Sequence, residues 1–266
     1  MPAKAEPNKM RSIQPTKGFP SFYDEAPYDR NYDSLLARQQ IVNPVLEQLV
    51  QLNAGKTVLD IGCGCGHNLL LASRYARLAI GVDYSAASVR ITSQRVNSRN
   101  AYLLQGDNLN LCFRDELADL VISDGVVHHT GDTQRALREC VRVLKPSGYL
   151  YLAIYSNGSP YEWLYNYVGG CLRAVKSIPK VGNALIDRFF VPLHYLLYYA
   201  KYLRQKRHLS MRTTRSVFYD YFLTPVATFQ SKDTVVSWVH QNDCSVEGYE
   251  RVKHSHHFVI KKHEVI

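Results

Sequence analysis

Residues 57–71, TVLDIGCGCGHNLLL, constrain this chain more than any other stretch. The apolar run at Val58, Leu59 and Ile61 has the composition of a strand buried on both faces of a parallel sheet. Asp60 sits inside that run, and three glycines come next at alternate positions, Gly62, Gly64 and Gly66. An apolar helical stretch begins at once, at residue 69. Strand, glycine turn and helix in that order open a nucleotide-binding α/β unit. Glycine suits the turn because the backbone bends sharply and lets a ligand come where a Cβ would stand. The spacing is not that of a dinucleotide turn, G-x-G-x-x-G, whose third glycine would fall at His67. It is not a P-loop either, because no Gly-Lys-Ser/Thr comes after it.

Downstream stretches repeat the theme. Residues 78–82 read as a second apolar strand ended by Asp83, with Tyr84 beside it. A carboxylate at that strand tip is placed to accept both ribose hydroxyls of a bound nucleoside; the alternative is a carboxylate that caps the next helix. Ser85 is a fair N-cap for a helix over 86–96. Residues 101–104 make a third strand ended by Gly106 and Asp107, with Asn108 next. A fourth strand, 117–123, runs into Asp124 and the pair His128-His129. A helix over 134–144 stops at the turn Lys145-Pro146-Ser147-Gly148, and 149–154 is a fifth strand. Five strand–helix units over 57–155 predict a parallel sheet with helices on both faces and a ligand at the carboxyl ends of the strands.

The pattern D-x-G-x-G-x-G over residues 60–66 resembles motif I of the class I S-adenosylmethionine-dependent methyltransferases. VLKPSGYLYLAI, residues 143–154, resembles the stretch leading into that family's fifth strand, and the chain as a whole resembles the type 11-like, small-molecule branch. The resemblance implies a Rossmann-like α/β sheet, mostly parallel with an antiparallel terminal strand, plus a helical insertion. It implies S-adenosyl-L-methionine as cofactor, with Asp60, Gly62, Cys63, Gly64, Gly66, Asp83, Tyr84, Asp107, Asn108 and Asp124 as candidate binding residues. In the family an acidic residue at the end of the third strand bonds the exocyclic amine of adenine, and Asp107 is the match. Asp124 stands where asparagine is common in a stretch like N-x-x-x-H-H. His128 and His129 are the candidate general bases, since imidazole titrates near neutral pH.

Outside this core the signals are compositional. Residues 1–20 are polar with four prolines and read as a flexible arm, not a secretory signal. Residues 21–155 read as an N-terminal helix and the cofactor-binding core. Leu35, Leu36, Ile41, Val45, Leu46 and Leu49 recur at helical spacing there. The resemblance lays that helix over the cofactor cleft, where Tyr23, Tyr28 and Tyr32 either line the cleft or remain surface aromatics. Six cysteines without paired C-x-x-C spacing read as free thiols in a reducing cytoplasm. No run of about 18 apolar residues exists, so no transmembrane segment is expected.

Residues 156–215 break the strand pattern. From 171 to 215 the chain holds ten Lys/Arg against one acid, Asp187, an excess equal to the formal charge of +9 on the whole chain. With Trp163 and many tyrosines, the segment reads as a helical lid that supplies the acceptor pocket. It could instead lie on an anionic membrane, bind RNA or meet an acidic carrier protein. Residues 216–266 return to the core, with a helix capped near Ser231 or Asp233 and two alternating strands joined by a short turn. His254, His256 and His257 lack a clear acidic partner, so no metal is expected.

The function expected is methyl transfer from S-adenosyl-L-methionine to O, N or C of a small-molecule acceptor. The alternatives are RNA, a membrane-associated lipid or quinone, or a non-catalytic adenosyl-ligand binding protein.

Overall fold

The computed structural model describes residues 19–25, 43–204 and 210–264. Seven strands form one sheet in the order β3-β2-β1-β4-β5-β7-β6. They are β1 (Thr57–Ile61), β2 (Leu78–Asp83), β3 (Ala101–Gln105), β4 (Ala118–Asp124), β5 (Leu144–Tyr155), β6 (Cys244–Val252) and β7 (Ser255–Lys262). The first five are parallel, and β7 and β6 join antiparallel beyond β5. Strand order reverses between β1 and β4, so a crevice opens at the carboxyl ends of those two strands.

Helices α1 (Phe19–Glu25), α2 (Pro44–Leu52), α3 (His67–Tyr75), α4 (Ala86–Arg95) and α5 (Thr133–Arg142) precede β5. The strands carry apolar residues on both faces, and each face is covered. Leu59, Ile61, Val121 and Ile154 pack with Leu137 and Val141 of α5 and with Val235 and Val239 of a C-terminal helix, Lys232–His240. Val58, Leu120 and Ile122 pack on the other face with Leu46 and Val50 of α2 and with Leu69 and Ala72 of α3. Ser85 caps α4, and Ser231 caps the C-terminal helix, by accepting from the backbone N–H three residues on.

Two expectations change here. No helix forms between β3 and β4, so the third unit is a strand and a loop. That loop packs Leu109, Leu111, Phe113 and Leu117 on the core, and side chains of α5 hold its backbone. Arg142 donates to Asp115 and to the carbonyls of Leu111 and Phe113, while Glu139 accepts from the backbone N–H of Leu111. The expected turn at Lys145–Gly148 lies inside β5, as an irregularity with Ser147 at φ 59°. The helical periodicity at Leu35, Leu36 and Ile41, and Tyr28 and Tyr32, lie outside the described residues.

The segment after β5 folds as a separate helical layer of three rods, α6 (160–176), α7 (182–204) and α8 (211–223). Each contains a stretch of π geometry, at Leu164–Gly169, Ile186–Phe190 and Tyr219–Leu223. A π turn carries one residue more than an α turn and rotates the next turns around the helix axis. Leu172, Ile186, Val191, Phe218, Tyr219 and Phe222 form a core for this layer. That core runs on through Leu223, past the boundary expected at 215. Phe22 of α1 is buried in it, so residues 19–25 are a helix docked on this layer, where the sequence suggested an arm and a lead-in loop. Asp24 extends the docking to the sheet side by accepting from Ser85 Oγ at 2.7 Å and from the backbone N–H of Ala87 at 3.0 Å. No described helix is long and apolar enough to cross a membrane.

Candidate active site

The glycine turn is built for close approach. All three glycines have positive φ, 76° at Gly62, 51° at Gly64 and 88° at Gly66. Their neighbours differ. A Cβ on Gly62 would run into the methyl groups of Val126, and one on Gly66 would stand 2.6 Å from Thr92 Cγ2. A Cβ on Gly64 would meet nothing within 4 Å, because that side opens into a cavity. Gly62 and Gly66 therefore let elements pack, and Gly64 leaves room for a ligand. Gly62→Ala combines overpacking with left-handed strain and should cost about 1–3 kcal/mol of stability. Chemical denaturation reads this directly; an unchanged midpoint would show that Val126 yields freely.

Hydrogen bonds fix the turn. Asp83 Oδ2 accepts from the backbone N–H of Gly64 at 2.8 Å, and Oδ1 accepts from Ser85 N–H at 2.9 Å. Thr92 Oγ1 donates to the Gly64 carbonyl at 2.8 Å. Asp60 is buried behind the turn and accepts from the backbone N–H of Leu69 in the first turn of α3, while its Oδ2 has no hydrogen-bond partner among the described residues. Burial, with the charges of Asp124 and Asp83 nearby, pushes the Asp60 carboxyl up to about 8. Burial also raises Asp83, to about 6, against the pull of the Ser85 and Gly64 N–H groups. Three carboxylates around one turn, two of them holding protons unusually late, form a site that a cation would relieve.

The cavity in front of the turn has a volume of about 770 Å³ and lies at the carboxyl ends of β1, β2, β4 and β5. Its first half is lined by Gly62, Cys63, Gly64, Asp83, Tyr84, Asp107, Asn108 and Asp124. Asp107 Oδ1 accepts from Leu109 N–H at 2.8 Å, and Asn108 Oδ1 is buried without a partner among the described residues. Burial pushes the Cys63 thiol up, so it is a packing group and not a thiolate.

The second half is aromatic and imidazole-rich. His129, Tyr155, Tyr151, Tyr221, His254 and His257 line it, with Tyr23 of α1 and the acids Asp220 and Glu250. His129 Nδ1 lies 2.8 Å from the Val226 carbonyl. A carbonyl only accepts, so Nδ1 carries the proton and Nε2 is left as a base. Burial pushes His129 down to about 4, which keeps it neutral at ordinary pH. Tyr151 takes a hydrogen bond from Asn43 Nδ2 at 2.9 Å and shares one with His257 Nδ1 at 2.7 Å.

Most of the residues singled out in the sequence meet at this cavity, and three do not. His128 is fully buried behind the site, its ring 3.7 Å from that of Tyr155, with Nδ1 accepting from Tyr155 N–H at 3.4 Å. Asp60 faces α3, and Gly66 faces α4. The reason given for the histidines also changes: both are held below the imidazole range by burial, so neither titrates near neutral pH. Among the described residues, none of 156–214 lines the cavity. The helical layer reaches it through Asp220 and Tyr221 of α8, and Tyr161 and Tyr165 of α6 only brace Tyr221 and Tyr155. The hairpin turn between β6 and β7, residues 252–255, supplies wall that sequence reasoning missed. His254, His256 and His257 were visible as a cluster, but alternation sends them apart. His257 bonds Tyr151, His256 bonds Tyr249, and His254 packs on Tyr161 at 4.6 Å.

Residues 59–152 match the family described as Methyltransferase domain. The chain carries a methyltransferase domain. That domain spans β1 to β5, including the glycine turn and His129. The chain is 39% identical over 115 residues to "Probable tRNA methyltransferase 9B" of Bos taurus, covering 42% of this chain and 24% of the relative. It is 33% identical over 123 residues to "Phthiotriol/phenolphthiotriol dimycocerosates methyltransferase 1" of Mycobacterium ulcerans, covering 45% of each. This methyltransferase domain thus sits in a chain that spans less than half the length of those two curated relatives. The solved structure of the YcgJ protein of Bacillus subtilis superposes with a TM-score of 0.53 at 18% identity, over 83% of this chain and 98% of that one. The likeness extends past β5, so the antiparallel end of the sheet belongs to the methyltransferase fold as well.

Proposed function

We propose that this chain transfers a methyl group from S-adenosyl-L-methionine to an oxygen, nitrogen or carbon of a small acceptor with an aromatic or apolar body. The observation that carries the reading is the division of one cavity. One half is a glycine turn ringed by carboxylates, and the other half is aromatic with a neutral histidine facing in. The residues fit the cofactor. Gly64 leaves open space, and Asn108 Oδ1, on the cavity wall, is a buried acceptor with no donor among the described residues. Asp83 and Asp124 supply negative charge for a cationic ligand. When bound, the cofactor supplies a methyl already activated on a sulfonium, so the S–CH3 bond breaks as the bond to the acceptor forms. The protein's part is alignment, exclusion of water by the aromatic wall, and acceptance of the acceptor's proton at His129 Nε2.

Calorimetry with S-adenosyl-L-methionine, its demethylated product and NAD tests the first half. Both adenosyl ligands should bind, and NAD should not. Binding of the cation should also release protons between about pH 6 and 8, because Asp60 at about 8 and Asp83 at about 6 lose their reason to stay protonated. The binding enthalpy should then vary with the ionisation enthalpy of the buffer. Stability without ligand has the same sign. The folded state holds protons that the unfolded chain, with carboxyls near 3.8, has released, so stability falls as pH rises from about 4 to 8. NAD preference, or no adenosyl binding, would overturn the assignment.

A second reading, methylation of RNA, draws on the identity to a relative named as a tRNA methyltransferase and on the basic segment 171–215. Transfer of labelled methyl to a tRNA pool, with none to a small-metabolite pool, would decide for it.

A further inference from the structure

Helix α7 is apolar on both its inner and its outer side. Its inner side packs Ile186, Val191 and His194 against Phe218 and Phe222 of α8. Its outer side bares Phe189 (65% exposed), Leu193 (53%), Leu196 (66%) and Leu197 (70%), which recur at helical spacing. A helix with apolar residues on opposite sides belongs in an interior, and the outer half of this one has no protein over it among the described residues. Helix α6 repeats the feature, with Trp163 and Tyr167 exposed on its outer side and their rings 5.4 Å apart. Ile178 and Val181, in the connection to α7, flank Lys180 and are also exposed. Exposed apolar area of this extent marks an interaction site.

The charge pattern indicates the partner. Lys180 and Arg188 are exposed among these apolar residues, and the chain from 171 to 215 carries ten cations against one acid. That acid, Asp187, is consumed internally by Arg215 at 2.9 Å and by the Tyr219 hydroxyl at 3.0 Å. Arg173, Lys176 and Arg215 turn inward, to the Phe222 carbonyl, Glu25 and Asp187, so among the described residues the outward face is apolar with Lys180 and Arg188 as its cations and Trp163 and Tyr167 exposed beside them. A nucleic acid would meet the cations but leave the leucines in water. An anionic bilayer satisfies both, since side chains such as Leu193 enter the acyl boundary while Lys and Arg meet the headgroups. Since no described helix can span, the layer would lie on the surface.

We infer that the outer face of α6 and α7 is a docking surface for an anionic lipid membrane. The same helical layer contributes Asp220 and Tyr221 to the cavity wall from its inner side. The surface itself does not depend on the reading of the cavity, and the two fail separately.

The test is co-sedimentation of the full chain with phosphatidylcholine vesicles, with and without phosphatidylglycerol. The wild type should bind the anionic vesicles and lose binding as salt rises. Phe189→Ser with Leu193→Ser and Leu197→Ser should weaken that binding about tenfold or more. Lys180→Gln with Arg188→Gln should weaken it for anionic vesicles only. Adenosyl-ligand affinity, measured on each variant, should be unchanged and reports that the core is folded. The inference is overturned if the wild type ignores both vesicles, or if the serine variant binds as well as the wild type. It is equally overturned if the serine substitutions abolish self-association instead, or if the cations bind RNA and not lipid.

Discussion

His129→Gln is expected to lower turnover by about two orders of magnitude or more, with adenosyl-ligand affinity little changed. The side chain lines the cavity beside Tyr155, its ring 5.4 Å from that of the tyrosine. The Val226 carbonyl holds its Nδ1 proton and leaves Nε2 free to accept one. Glutamine can keep a donor toward Val226 but has no basic nitrogen. The pH profile separates this role from a packing one. With His129 at about 4, wild-type turnover should show no limb near 6.5 from this group and should stay flat above about pH 6. Single-turnover rates across that range are the measurement. Full turnover in His129→Gln would remove the histidine from the chemistry and turn attention to the Tyr151–His257 pair.

Asp83→Ala should weaken S-adenosyl-L-methionine binding by about 1.5–3 kcal/mol, roughly one to two orders of magnitude in affinity. Two effects act together. The carboxylate faces the cavity and would bond hydroxyl groups of the ligand directly. It also holds the N–H groups of Gly64 and Ser85, so the turn loosens when it goes. Asp83→Asn separates them: it keeps an oxygen for Gly64 but removes the charge, and should fall between the two. Calorimetry on all three proteins gives the ranking. If Asp83→Ala binds as tightly as the wild type, the ligand does not use this end of β2.

The sheet was legible because its signals are local. Apolar runs ending in Gly62, Asp83, Asp107 and Asp124 state both the strands and the end at which they expose polar groups. The first half of the cavity was legible with them, since those residues all lie at carboxyl ends of adjacent strands. The second half was not, because its wall is assembled from separations that no local pattern encodes. Tyr151 meets His257 across the β5–β7 pairing, and Tyr221 arrives from α8. His128 and His129 show the limit most plainly. The sequence sets them side by side as equals, and the short 3₁₀ turn at Val127–His129 buries one and presents the other. The expected titration near neutral pH failed for a related reason: desolvation is a property of the fold, and no residue type announces it. The aromatic insertion misled by proximity in sequence, since its rings support the cavity wall from behind without forming it.

The π turn at Tyr219–Leu223 has a consequence for how such a protein can change. It is a helical segment with one residue too many, and that surplus sets the angle at which Asp220 and Tyr221 meet the cavity. Removing a single codon there would restore α spacing and swing one side of the helix by about 100° relative to the other. The sheet, the glycine turn and the carboxylates would be untouched. A lineage built on this scaffold could thus remodel one wall of the cavity by a one-residue indel, a step that ordinary substitution in a packed aromatic wall would need several coordinated changes to reach.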